Sequence, residues 1–133
     1  MTSPIDLLAN AAARGDVQQV TELLNEGVDP NARNSMGRTP IQVMMMGSLK
    51  IAQLLIEHRA DPTVTDPSTG TSPAHDAIRE GFVKTFLELR NGEASLYGPV
   101  DFYGQRPIDL ASDSVREELI RIGMLNPTEN QQQ

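Results

Sequence analysis

Ser72, His75 and Asp76 stand together in the run S-P-A-H-D, residue types from which a nucleophile, a general base and an orienting carboxylate can be assembled. The spacing argues against such a triad, because neighbouring helical residues point about 100° apart and His75 and Asp76 would not face each other. The other histidine is His58, and the sequence holds no cysteine, no phosphate-binding glycine loop, no metal-ligand cluster and no G-x-S-x-G elbow. The expectation is a protein that is not an enzyme and takes neither cofactor nor metal. The second unusual stretch is Met44-Met45-Met46. Three successive helical side chains cannot all point inward, so at least one should be accessible, and methionine adapts well to binding surfaces. Core filling by Met44 and Met46 and a contact role for the whole cluster remain the two readings.

The elements that position these residues follow from the stretch around the methionines, G-R-T-P-I-Q-V-M-M-M-G from Gly37 to Gly47. Thr39-Pro40 is expected to open a short helix, since proline at a first helical position has the right φ and lacks only an N–H that would be unpaired there. Gly47 is expected to close it. Asn34, Gly37 and Pro40 have counterparts in Asp66, Gly70 and Pro73 and again in Asp101, Gly104 and Pro107, with prolines 33 and 34 residues apart. That period is the one of ankyrin repeats, and S-P-A-H-D-A over 72–77 is similar to their T-P-L-H-x-A pattern. In that pattern the histidine bonds turn backbone and helps lock one repeat to the next, a plainer role for His75 than catalysis.

Counting from Gly15, Gly47 and Gly81, the apolar positions Val17, Val20, Leu23, then Leu49, Ala52, Leu55, then Val83, Phe86, Leu89 repeat one stripe at helical spacing. The fold expected is an all-α ankyrin-repeat solenoid of about four helix-turn-helix units joined by β-turn loops. Asp16 and Ser48 are N-cap candidates, and Gly27 is placed for a left-handed helix end. Residues 1–126 form one domain in this reading, with repeats at about 5–33, 34–65, 66–99 and 100–125 and a disordered tail over 127–133. Residues 1 to 5 read as a frayed start, followed by a first helix, Ile5 to Gly15, without the T-P opening. Pro40 to Gly47 is one residue shorter than Pro73 to Gly81, so the first helix of repeat two should be short and irregular or 3₁₀-like. In repeat three, the second helix ends weakly at Asn91-Gly92-Glu93. In repeat four Ser112-Asp113-Ser114-Val115 replaces the inter-helix glycine, shortening or merging the last helix pair.

With 38% apolar residues, no tryptophan and five Phe and Tyr residues, the core should be aliphatic and built in thin layers. A net charge of −7 disfavours nucleic acid, whose phosphates need a basic surface, and favours a basic protein surface as partner. No apolar run approaches a membrane span or a secretory signal, so no membrane partner is expected. Together with the missing cysteines this fits a cytoplasmic and nuclear location.

A-A-A-R-G over 11–15, P-I-Q-V-M-M-M-G over 40–47, H-D-A-I-R-E-G-F over 75–82 and the one-residue deletion in repeat two resemble the INK-type inhibitors of cyclin-dependent kinases, four-repeat ankyrin proteins. The resemblance is close over residues 7 to 90 and loose after Glu93. It implies a monomer that forms a heterodimer with cyclin-dependent kinase 4 or 6 through its concave face. Bound beside the ATP cleft, opposite the cyclin, such a protein twists the kinase lobes and blocks progress from G1 to S. Carried over residue by residue, the contacts are Gln42, Val43, Met44, Met45, Asp66, Asp76 and Phe82. Arg79, with Glu80, reads equally as part of that site or as a solvated pair. Gln18, Thr63 and Lys84 depart from the family, which often has Glu, Asn and Asp there.

Asp76 fills the variable position of the ankyrin pattern, so stacking does not explain it. It reads either as an acid favoured at a helix N-terminus or as a partner contact. Asp66, like Asn34 and Asp101, opens a turn and can bond local backbone. The competing function is an ankyrin adaptor for a different basic protein, which the fold alone would allow.

Overall fold

The computed structural model describes residues 2–128; of the expected tail, 129–133 lie outside the described residues. Among those described there are seven α-helices, one 3₁₀ turn and no strand. Helix α1 spans Pro4–Arg14, α2 Val17–Asn25, α3 Pro40–Val43, α4 Leu49–Glu57, α5 Pro73–Glu80 and α6 Val83–Arg90. The 3₁₀ turn spans Pro107–Leu110, and α7 Asp113–Arg121. Helices pack by position within the repeat: α1 against α3 and α5 against the 3₁₀ turn in one layer, α2 against α4 and α4 against α6 in the other. This is an ankyrin solenoid.

The core is the predicted stripe. Val20, Leu23, Ala52, Leu55, Val83, Phe86 and Leu89 are buried, joined from the other layer by Leu8, Ala11, Ile41, Ala74, Ile78 and Ile108. Val17 and Leu49, which lead the stripe in the first two repeats, are only half-buried. Each layer is one side chain thick, so it is stable only because the next repeat covers it.

Local signals set the ends of the helices. Asp16 and Ser48 cap as expected, their side chains accepting from the N–H of Gln19 at 3.0 Å and of Ile51 at 3.2 Å. The four second-layer helices share one ending, in which the Leu23, Leu55, Leu89 and Leu119 carbonyls accept from the N–H of Val28, Ala60, Ala94 and Met124. That closure puts the preceding residue in the left-handed region, and the four are Gly27, Arg59, Glu93 and Gly123, with φ of 92°, 66°, 81° and 81°.

Two expectations need correction. The chain start is not frayed over residues 2–5: Ser3 caps α1, its Oγ accepting from the Asp6 N–H at 3.1 Å, and Pro4 takes the first helical position. Ser3-Pro4 is thus the opening that T-P supplies elsewhere. Helix α3 does not run to Gly47 but stops at Val43, with Met44 already extended at ψ 154°. With one residue missing, a second turn would leave too little chain to reach α4; extended backbone bridges instead. The Met45 N–H donates to the Ala12 carbonyl at 3.0 Å, and the Thr85 hydroxyl donates to the Met46 carbonyl at 2.7 Å. Repeat four is shortened, as one of the two readings expected, its first helix reduced to the 3₁₀ turn and separate from α7. At the far end Thr128 bonds the Asn126 side chain through both its N–H and its hydroxyl, so a local turn extends past residue 126.

Candidate partner-binding surface

The turns at Asn34, Asp66 and Asp101 are built alike, because each side chain accepts from backbone N–H groups two or more residues ahead. Asn34 Oδ1 takes Met36 and Arg38, Asp66 Oδ1 takes Ser68, and Asp101 Oδ1 takes Tyr103 and Gln105. Asp66 has a second bond that the sequence did not suggest. Arg38, from the turn one repeat earlier, donates from Nε to Oδ2 at 2.9 Å and from Nη2 to Oδ1 at 3.3 Å. The guanidinium holds the Asp66 carboxyl below the ordinary aspartate range, helped by turn N–H groups and opposed by partial burial.

His75 is fully buried and occupied at both ring nitrogens. Nδ1 lies 3.0 Å from the Ser72 N–H, which can only donate, so the ring proton sits on Nε2 and goes to the Gln105 carbonyl, 2.8 Å away in the next repeat. The Ser72 hydroxyl is also 2.9 Å from Nδ1, the distance of a nucleophile and its base. Ser72 is only 2% exposed, however, and no substrate can reach the pair. The arrangement is a lock between repeats three and four.

Beside this lock lies an open cleft of about 390 Å³ lined by Asp66, Asp76, Arg79, Asp101, Tyr103 and Gln105, among others. Asp76 is half-buried rather than freely exposed and accepts from Arg79 Nη2 at 2.7 Å. Arg79 therefore pairs chiefly with Asp76, and Glu80 is a weaker neighbour at 3.6 Å. Burial pushes the Asp76 carboxyl above the ordinary range, outweighing the pull of Arg79. The fold thus gathers Asp66, Asp76 and Arg79 into one concavity from a turn and a helix.

The other residues that the resemblance implies lie elsewhere. Phe82 is exposed at the turn between α5 and α6, its ring so close over Gly47 that a Cβ there would stand 3.3 Å away. It lines a second cleft of about 300 Å³ with Gly81, Lys84 and Glu118. Met45 is exposed and its sulfur lies over Gly15 in the same manner. Met44 and Met46 are each 4% exposed, so the fold takes Met44 out of any contact surface and gives it to the core. Val43 is half-buried. Gln42 is half-buried too, its Oε1 accepting from the Thr39 N–H at 2.7 Å, while Nε2 is closed to solvent and has no hydrogen-bond partner among the described residues.

Of the three departures, Thr63 has a structural meaning. Its counterpart Asn31 ties two repeats together, donating to the Arg59 carbonyl at 3.0 Å and accepting from the Asp61 N–H at 2.7 Å. Thr63 is too short for that reach and folds back on Asp61, 2.6 Å from its carboxylate. Gln18 and Lys84 are exposed.

Among the described residues no group of His, Cys, Asp and Glu could hold a metal ion, and no helix is long and apolar enough to cross a membrane. Residues 8–97 match the family described as ankyrin repeats, in three copies. The chain is similar to cyclin-dependent kinase 4 inhibitor B of Bos taurus, 51% identical over 114 residues that make up 86% of this chain and 86% of the relative. The Mus musculus protein of that name is 50% identical over the same share of this chain and 87% of its own. Cyclin-dependent kinase inhibitor 2A of Homo sapiens is 49% identical over 91% of this chain and 77% of the relative.

Proposed function

Because this chain belongs to the ankyrin-repeat inhibitors of cyclin-dependent kinases, we propose that it binds cyclin-dependent kinases 4 and 6 and blocks their activation by cyclin, holding the cell cycle in G1. The observation that carries the reading is the half-identity to cyclin-dependent kinase 4 inhibitor B over nearly nine-tenths of the chain. The chain contributes no chemistry in this reading; it inhibits by occupying a surface. Asp66, Asp76 and Arg79 in the cleft, with Phe82 on the same repeat and Gln42, Val43 and Met45 on the preceding one, are the contact residues we assign. The kinases meet it as one-to-one partners in the cytoplasm and nucleus.

Two features support the assignment. Asp76 is spent on neither the helix ladder nor the repeat lock, and its charge is kept in a half-buried place where a basic partner group would recover what burial costs. Phe82 and Met45 are exposed, and each is held in place over a glycine of the preceding repeat, Gly47 and Gly15. The test is a titration of each purified kinase with the chain, followed by a kinase assay with cyclin present. A one-to-one complex and loss of activity are expected. Absence of binding to both kinases would overturn the proposal.

A further inference from the structure

Of the five aromatic residues, only Phe86 is buried. The other four sit at the surface, and three have visible work there. Phe82 covers Gly47, Tyr97 carries the Arg106 guanidinium 5.9 Å from its ring centre, and Phe102 covers Gly70 so closely that a Cβ there would lie 2.6 Å from the ring. Tyr103 is the most exposed of all, at 77%, yet its place is fixed. Its N–H donates to Asp101 Oδ1 at 2.9 Å, and the Phe102 N–H donates to the Thr69 carbonyl at 2.9 Å, fastening the turn of repeat four onto that of repeat three. Tyr103 therefore stands at the edge of the Asp66, Asp76 and Arg79 cleft with its backbone held and its ring open to solvent.

We propose that Tyr103 is a partner-binding residue that carries the kinase contact into repeat four, its ring receiving a basic side chain of the kinase whose charge is met by the carboxylates of the cleft. The inference deepens the proposed function and rests on it. Lysine and arginine are drawn to aromatic faces, and a tyrosine whose backbone is already held has only two side-chain torsions left to order on binding. The acidic chain and the continuity of Tyr103 with Asp66 and Asp76 favour the same basic partner over a second ligand.

The experiment compares kinase affinity and thermal midpoint for the full chain, Tyr103→Ala, Tyr103→Phe and Tyr103→Lys. Expected are a loss of about tenfold for Tyr103→Ala, near-native binding for Tyr103→Phe, a larger loss for Tyr103→Lys, and unchanged midpoints throughout. Native affinity in Tyr103→Ala, with the unmodified chain binding normally, overturns this inference and leaves the proposed function standing. Tyr103→Lys binding as well as Tyr103→Ala would overturn the basic side chain as the occupant. A dimer of the unmodified chain in sedimentation that Tyr103→Ala dissolves, with kinase binding intact, would assign the residue to self-association instead and overturn the inference. An unmodified chain that binds neither kinase overturns both readings together.

Discussion

Arg38 holds both carboxylate oxygens of Asp66 across the boundary between repeats two and three, at 2.9 Å and 3.3 Å. The pair ties one turn to the next and fixes one wall of the cleft, so Asp66 serves the stack whatever else it touches. The same design recurs within repeat four, where Arg106 clasps Asp109 at 2.8 Å and lowers its carboxyl in the same sense.

These carboxylates give a pH dependence of mixed sign. Asp66 and Asp109 have folded pKa values below the unfolded value of about 3.9, so their stabilisation is present above that pH and is lost as pH falls through the folded values. Asp76 is raised by burial, so the folded state takes up its proton first and stability is gained as pH falls through that raised value toward the unfolded one. Melting scans from pH 7 to pH 3 should therefore show a flatter acid limb for Asp66→Asn and a steeper one for Asp76→Asn. Parallel limbs in the two variants would contradict the assignment.

Asp76→Asn should weaken kinase binding at least tenfold, since truncating one member of a desolvated interfacial charge pair costs about 2–5 kcal/mol. The unfolding midpoint should hold or rise slightly, because asparagine can still accept from Arg79 and burial no longer opposes a charge. Calorimetric titration with parallel melts measures both. Undiminished binding would remove Asp76 from the interface.

Arg59 and Glu93 hold left-handed conformations that glycine adopts without strain, and the bonds Arg59 makes, from its N–H to the Ile56 carbonyl and to its carbonyl from Asn31, run through its backbone. Arg59→Gly and Glu93→Gly should each raise stability by about 0.5–1 kcal/mol, the side-chain strain less the flexibility glycine adds when unfolded. Gly92→Ala should do the reverse, since its Cβ would meet Ile56 and Pro62 at 2.9 Å. Urea unfolding of the three variants checks the ordering.

Thr63→Asn should restore between repeats two and three the clamp that Asn31 makes between one and two. By the shared register its targets are the Glu93 carbonyl and the Ser95 N–H. A gain of about 1 kcal/mol is expected in the same unfolding assay, with kinase affinity unchanged. A change in affinity without one in stability would make Thr63 a contact residue instead.

The repeat, the helix order, the caps at Asp16 and Ser48 and the lock by His75 were legible in the residues themselves, because each rests on a local rule or on a period that recurs along the chain. Proline fixes φ, Asp and Ser bond N–H groups three residues ahead, and an apolar stripe can face only one way. What the chain left open depends on atoms distant in sequence. That Met44 joins the core while Met45 stays out follows from where α1 presents the Ala12 carbonyl. The left-handed residue at the end of α6 is Glu93 and not Gly92, because Gly92 is needed small where Ile56 and Pro62 press against it. The meeting of Asp66, Asp76, Arg79 and Tyr103 in one cleft depends on how repeats three and four are stacked. Spacing along one repeat sets the direction of a side chain, whereas its neighbours are set by the rotation between repeats, and that is a property of the packed solenoid.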